Sequence, residues 1–394
     1  MAAEQSTTAI LECLIGFASV SSESNLDIVS WIEAYLAQHG ISSRRIPDRS
    51  GRKASLLATI GPLDRPGVVL SAHTDVVPVA GQDWSSPPFV ATARDGRIVG
   101  RGATDMKGFI ACALAHVPHF KAAATATPIH LALSYDEEVG CLGAPDLVAE
   151  VAAGPVRPVL CIVGEPTGLA VGYAHKGKVA RRVVVTGRGG HSALPDRAAN
   201  AVVAAARIAA ALEDMAQQVV LGGARHQAFD PPYTTIHIGS LHGGTALNFV
   251  PDNATLEFEI RYTPGTDVVA MLRQTDAIIL AEQTRLKAQA PEAGIAVEDM
   301  ASYPALMTEA AGPAVTAVQH LANGGRGATT LSFGTEAGLF AQAGIPTVVC
   351  GPGDIARAHK ADEWIGVDEL AAADGMMRRL AAELGKPAEE WIAR

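Results

Sequence analysis

The sequence predicts an α/β protein in which a mostly parallel mixed sheet, flanked by helices, is interrupted by a smaller inserted layer. Three observations predict it. The apolar runs at residues 68–70, 129–133 and 159–163 each stop abruptly on acidic or histidine residues, as strands of a parallel sheet do where their carboxyl ends meet a site. After Lys178 that habit is lost, and the patterns run strand, helix, strand, strand, helix, strand, the βαββαβ order of a ferredoxin-like layer with apolar faces of its own. From Pro304 the first pattern resumes. The expected organisation is one discontinuous domain, residues 1–178 and 304–394, carrying an inserted domain over residues 179–303; a chain of 394 residues exceeds the length at which a single core usually divides.

Composition narrows the function classes. Hydrophobic residues make up 48% of the chain and charged ones 18%, enough to bury a sizeable core. A net charge of −10 argues against a nucleic-acid partner or an anionic membrane surface and favours a small-molecule substrate. Every apolar run is broken short of the roughly 20 residues a membrane helix needs. Glu4 and Glu12 stand where a signal peptide wants a basic flank, so a cytoplasmic protein is expected. Cys13, Cys112, Cys141, Cys161 and Cys350 are scattered and mostly inside apolar segments, which reads as reduced core thiols and not as a disulfide framework.

Taken in order, Ile28, Val29, Ile32, Tyr35 and Leu36 recur at helical spacing, with Gly40 as the cap. Residues 55–60 form a strand that turns through Gly61-Pro62 toward the strand opening at Val68. A Gly-rich turn (Gly100, Gly102, Gly108) leads into a helix over about residues 106–116, ended by Pro118. The strand at 129–133 delivers Ser134-Tyr135-Asp136-Glu137-Glu138 into a loop, and that at 159–163 delivers Gly164-Glu165-Pro166. In the inserted layer, strands are expected at 181–186, 234–240, 254–262 and 294–300, with helices at 199–215 and 268–287. A helix over 310–321, a turn at Gly324-Gly325, a strand at 346–350 and a polar loop through His359 complete the chain.

In extended backbone, residues i and i+2 face the same way, so His73 and Asp75 can share a neighbour; adjacent Glu137 and Glu138 point apart and would not serve one ion. His73, Asp105, Glu137, Glu138, Glu165 and His359 together supply the imidazoles and hard oxygen donors of a hydrolytic two-metal site, with one carboxylate left to carry a proton. Two zinc ions about 3.5–4 Å apart activate a water as nucleophile by lowering its pKa toward about 7. The nearest approach to a serine nucleophile elbow, Gly190-His191-Ser192-Ala193-Leu194, lacks the closing glycine, which argues against a serine hydrolase.

The segments VVLSAHTDVVP, GRGATDMKG, SYDEEVG, VGEPT, GRGGHSALPDRAANAV, LNFVPDNATLEFEIR and FGTEAG through CGPGDIARAHKADEW, in that order, resemble the co-catalytic zinc deacetylase and peptidase family. The resemblance implies a metal-dependent amidohydrolase with a zinc-peptidase-like catalytic domain that binds two zinc ions, cobalt or manganese being alternatives. It also implies a homodimer formed through the inserted domain. Residue by residue, it implies that His73 and Glu165 bind one ion, that Glu138 and His359 bind the other, and that Asp105 bridges them. Asp75 falls where the family orients the ligand histidine and fixes its tautomer. Glu137 falls at the general base, which takes a proton from water and passes it to the leaving amine. The peptide bond after Asp105 is implied to be cis.

From the inserted domain, His191 falls where the family supplies an oxyanion-stabilising histidine to the partner subunit's site. Asn248 and Arg261 fall where it binds substrate, the arginine forking onto an α-carboxylate. The approach to the last histidine most resembles the acetylornithine deacetylase branch. That makes N2-acetyl-L-ornithine the expected substrate, cleaved to L-ornithine and acetate for arginine biosynthesis. The alternative is a deacylase of another N-acyl amino acid, a succinyl-diaminopimelate desuccinylase or a dipeptidase of the same family. Thr335 and Glu336 are expected to line the pocket, with Glu336 meeting a cationic substrate side chain.

Overall fold

A strand covered on both faces has to be apolar along its whole length, and three such strands form the middle of the larger sheet. They are Val68–His73, Ile129–Ser134 and Leu160–Pro166, lying side by side and parallel. The computed structural model describes residues 5–323 and 326–392, so the turn expected at Gly324-Gly325 lies outside the described residues. The order across the sheet is Ser43–Pro47, Ala54–Ile60, Ile129–Ser134, Val68–His73, Leu160–Pro166, Thr347–Gly351, Val171–His175 and Leu306–Met307, with Ala328–Leu331 also beside Val171–His175. Its outer junctions Ser43–Pro47 with Ala54–Ile60 and Val171–His175 with Leu306–Met307 are antiparallel, so the sheet is mixed about a parallel centre.

Alternation along the strands assigns each side chain to a layer. Val68, Leu70, Ala72, Leu131, Leu133, Leu160 and Ile162 pack with the helices Thr7–Ile15, Leu26–Gln38, Gly108–Ala115, Val117–Ala123, Pro313–Leu321 and Val367–Glu383. Val69, Ala132, Cys161 and Val163 face the other way, against Ala144–Ala152 and Ala337–Gln342. Each fully buried valine, leucine or isoleucine contributes about 1.5–3 kcal/mol, so these two layers dominate the stability of this part of the chain. Leu26–Gln38 buries Ile28, Val29, Ile32, Tyr35 and Leu36 as their spacing predicts, and Gly40 follows with φ 68.

The segment after Asp105 differs from expectation. The helix starts at Gly108, because Asp105 and Met106 have φ of −124 and −135 and lie in an irregular turn, Ala103–Lys107. The helix ends at Ala115, within a residue of the expected end, and Pro118 belongs to the next helix. It lies in the first turn of Val117–Ala123, where a missing N–H leaves no helix bond unmade.

The chain divides into two units, the first running to His175 and resuming at Leu306, the second spanning Lys176–Ala305. The second unit is an antiparallel sheet in the order Thr235–Gly243, Asn253–Tyr262, Gly177–Thr186, Gly294–Tyr303. Val183, Val185, Ala254, Leu256, Phe258 and Ile260 pack one of its faces against the helices Ala201–Gly222 and Val268–Gln289. Among the described residues, no helix is long and apolar enough to cross a membrane. All five cysteines are free thiols; Cys112, Cys141, Cys161 and Cys350 are buried, whereas Cys13 is exposed.

Candidate metal centre

Strand ends of the first unit deliver most of the site. His73 closes Val68–His73, and Glu165 is the last residue but one of Leu160–Pro166. Gly164 precedes it because a Cβ there would fall 2.1 Å from the ring of Phe109. Glu137 and Glu138 follow Ile129–Ser134 in a loop that turns at Asp136 (φ 53), whose carboxylate is held by the backbone N–H of Ser22 at 3.2 Å and by Lys53. Asp105 lies in the irregular turn entered through Gly102 (φ 81), where a Cβ would fall 2.7 Å from Val76. The Asp105–Met106 peptide is cis, as the resemblance implied. His359, at φ 63, comes from the loop beyond Thr347–Gly351.

These six side chains converge. Asp105 turns Oδ1 toward His73 Nε2 at 3.1 Å and Oδ2 toward His359 Nε2 at 3.3 Å. Each imidazole has its own glutamate: His73 Nε2 lies 3.7 Å from Glu165 Oε1, and His359 Nε2 lies 3.0 Å from Glu138 Oε2. Ligand atoms of His73, Glu137 and Glu165 fall within 4.8 Å of one another, as do those of His73, Asp105 and Glu138. The two groups share His73, and the loop that carries Glu137 and Glu138 is not extended. The His359 side chain is 51% exposed and Asp105 only 5%, so the cluster is open at one end.

Asp75 contacts four neighbours. Its backbone carbonyl accepts from His73 Nδ1 at 2.9 Å, which leaves Nε2 as the ligand atom, while its carboxylate stands 3.5 Å from Nδ1. That carboxylate accepts the backbone N–H of Glu137 at 3.1 Å, that of Glu138 at 3.4 Å and the hydroxyl of Ser21 at 2.6 Å. Ser21 carries no motif, and nothing in the sequence marks it. Cys141 Sγ donates to Glu137 Oε1 at 3.4 Å.

The electrostatics show what the cluster is suited to hold. Burial pushes Glu137 and Glu165 well above the ordinary carboxylate range, and neighbouring carboxylates add to it. Burial, helped by the charge of Asp105, raises Glu138 to about 7. Burial also acts against ionised Asp105, but hydrogen bonds from His359 and His73 outweigh it and hold that group below its usual range. His359 is raised to about 10 by its bonds to Asp105 and Glu138. Carboxylates outnumber imidazoles in a largely shielded space, and the glutamates that burial and mutual repulsion keep protonated there are groups that a bound dication would ionise and neutralise. The mixed donor set suits zinc, cobalt or manganese.

Two residues expected to line the pocket are buried in the first unit. Glu336 is 1% exposed, and its two oxygens accept from Ser71 Oγ and Ser134 Oγ, each at 2.6 Å. It is an interior tie between two central strands and does not face a substrate cation. Thr335 is also buried, accepting the N–H of Ala337 at 3.0 Å. His191, Asn248 and Arg261 belong to the second unit. His191 is exposed on the short ladder that pairs it with Phe249, and the carbonyl of Asn248 accepts the N–H of Ser192 at 3.1 Å. Arg261 Nε donates to Glu259 on its own strand at 2.7 Å.

Comparison with known proteins shows the family. The model of peptidase family M20/M25/M40 matches residues 69–383. An acetylornithine deacetylase of Myxococcus xanthus is 34% identical, the match covering 95% of this chain and 96% of that protein. In fold, the chain is similar to an M20 family metallo-carboxypeptidase, Sso-CP2, from Sulfolobus solfataricus. The TM-score is 0.78 at 16% identity, covering 97% of this chain and 99% of the other. It is also similar to the YXEP protein of Bacillus subtilis, described as a dinuclear metal binding peptidase, with TM-score 0.61 at 16% identity, again over 97% and 99%. Matched along most of its length in both sequence and fold, the chain belongs to peptidase family M20/M25/M40 and is a hydrolase.

Proposed function

We propose that this hydrolase is a two-metal amidohydrolase that removes the acetyl group of N2-acetyl-L-ornithine, giving L-ornithine and acetate. The observation that carries the reading is the division of the Asp105 carboxylate between two imidazoles, each with its own glutamate. His73 and Glu165 hold one divalent ion, Glu138 and His359 the second, and Asp105 is shared. Zinc is the favoured ion, with cobalt and manganese as alternatives. Bound there, the ions supply Lewis acidity toward the amide carbonyl and lower the pKa of water at the site.

The chain's own groups supply the rest. Glu137, its proton affinity raised by burial, takes the proton of the attacking water and returns it to the leaving nitrogen. Asp75 fixes both the tautomer of His73 and the backbone from which Glu137 projects. His191 of a second copy offers an N–H to the tetrahedral oxyanion, and Asn248 and Arg261 hold the substrate, the guanidinium on its α-carboxylate. A homodimer through the second unit is therefore part of the proposal. In support, the strand Thr235–Gly243 ends its sheet with an outer edge that no strand among the described residues pairs.

The substrate rests on the Myxococcus xanthus relative and on the resemblance of the last loop. Rates on acetylornithine, acetylcitrulline, acetylmethionine and succinyl-diaminopimelate with metal-reconstituted protein test it. Acetylornithine is expected to give the highest kcat/KM, and an equal or higher value for another member of the panel would overturn the substrate assignment.

A further inference from the structure

Asp105 and His359, like Glu138, are proposed ligands that no strand holds in place. Asp105 sits in an irregular turn and His359 in a loop with a left-handed backbone, yet their side chains meet at 3.3 Å. Behind them lies a buried ion pair outside the proposed ligand set. Arg101 is 0% exposed and Glu363 1%, and Arg101 Nη1 donates to Glu363 Oε2 at 2.7 Å. A buried pair of this kind is tolerated when its other polar atoms find partners; Arg101 Nε finds none, but both Nη atoms and both Glu363 oxygens do, and those bonds reach both ligand segments. Glu363 Oε1 accepts the backbone N–H of Thr104 at 2.9 Å and that of Asp105 at 3.0 Å. Arg101 donates to the carbonyl of Lys360 at 3.2 Å and to Oε1 of Gln82, and its guanidinium lies over the ring of Trp84 at 5.0 Å. Gln82 closes the path, its Nε2 donating to the carbonyl of His359 at 2.9 Å.

We infer that Glu363, Arg101 and Gln82 form a brace that positions Asp105 and His359 for metal binding. The inference rests on the two-metal reading above. The brace grips backbone atoms of the ligand residues and not their side chains. It engages no side-chain oxygen or nitrogen of the proposed ligands, and because its charges cancel it adds no net charge beside the site. Asp362, one residue from Glu363, is instead on the outside, near Arg94 at 3.8 Å, so the two adjacent acids have opposite surroundings.

The test is a cobalt(II) titration of the metal-free full-length protein, read by the absorbance of the bound ion, on wild type, E363A and Q82A. Melting temperature, kcat and KM are measured on the same preparations. E363A leaves Arg101 buried without a counter-ion and risks failing to fold; Q82A changes a half-buried position and keeps the wild-type melting temperature. Each folded variant is expected to bind at least one of the two ions about tenfold or more weakly, with kcat lowered and KM little changed. A part in folding alone moves the melting temperature and leaves the affinity of the folded protein intact. Either folded variant taking up both ions within about twofold of the wild-type affinity would overturn the inference. A wild-type protein that binds no cobalt would overturn the two-metal reading along with it.

Discussion

The carboxylate of Asp75 accepts the backbone N–H of Glu137 at 3.1 Å. The same residue takes the Nδ1 proton of His73 on its backbone carbonyl, so a proposed metal ligand and a proposed proton carrier are aimed by one side chain and its own peptide. Replacing Asp75 by asparagine turns an NH2 toward donors that now meet an oxygen. In D75N, metal affinity and kcat are both expected to fall, about 10–100-fold. In E137Q, kcat alone falls, about 10²–10⁴-fold, because a base is lost and the ligands remain. Metal analysis beside steady-state kinetics separates the two. E137Q protein that loses metal in proportion to activity would make Glu137 a ligand.

Metal uptake should depend on pH in a definite direction. Without metal, burial and Asp105 raise Glu138 to about 7, and Asp105 and Glu138 raise His359 to about 10, so protons compete with the ion for both groups. Affinity is therefore expected to rise with pH through neutrality, and binding in weak buffer to release protons. Titrations at about pH 6, 7 and 8 check this, and a flat affinity would contradict it.

A second pH effect lies away from the site. His130 shares a hydrogen bond with Thr59 through Nδ1 at 2.9 Å, its Nε2 is buried without a partner, and burial lowers its pKa to about 4. The unfolded chain, near 6.5, binds the proton first as pH falls. Stability from this group is fully present above about 6.5 and declines as pH falls toward about 4, by up to about 1.4 kcal/mol per pH unit. Denaturation of wild type and H130L over that window measures it, and H130L should show the shallower dependence.

Glu336 supplies a test of an interior role. E336A removes the acceptor shared by Ser71 and Ser134 and opens a cavity, with an expected loss of about 2–4 kcal/mol. KM for a cationic substrate relative to a neutral one should not change. A selective loss of the cationic substrate would return Glu336 to the pocket.

Glu336 also shows where sequence reading stops. An acid in a glycine-rich approach to a ligand looks solvent-facing, and only the register that lays Ser71 and Ser134 beneath it reveals otherwise. The same limit applies to Glu363, which is buried while its neighbour Asp362, of the same chemistry, is only half-buried. The central strands were legible because burial on both faces demands unbroken apolar runs such as Val68-Val69-Leu70. Thr92–Arg94, Arg97–Val99 and Trp364–Gly366 form a sheet of three-residue strands, too short to carry a periodicity. For the centre itself, residue chemistry supplied the donor inventory and the family resemblance supplied the pairing. Neither could show that Asp75 reaches His73 through a carbonyl and Glu137 through a carboxylate.

Anomalous scattering at the metal edge, from crystals of zinc-loaded protein, tests the central claim most directly. Two peaks are expected, one within coordination distance of His73 and Glu165 and the other of Glu138 and His359, each also touching one oxygen of Asp105. Peaks away from Asp105, or no metal between the two imidazoles, would contradict it.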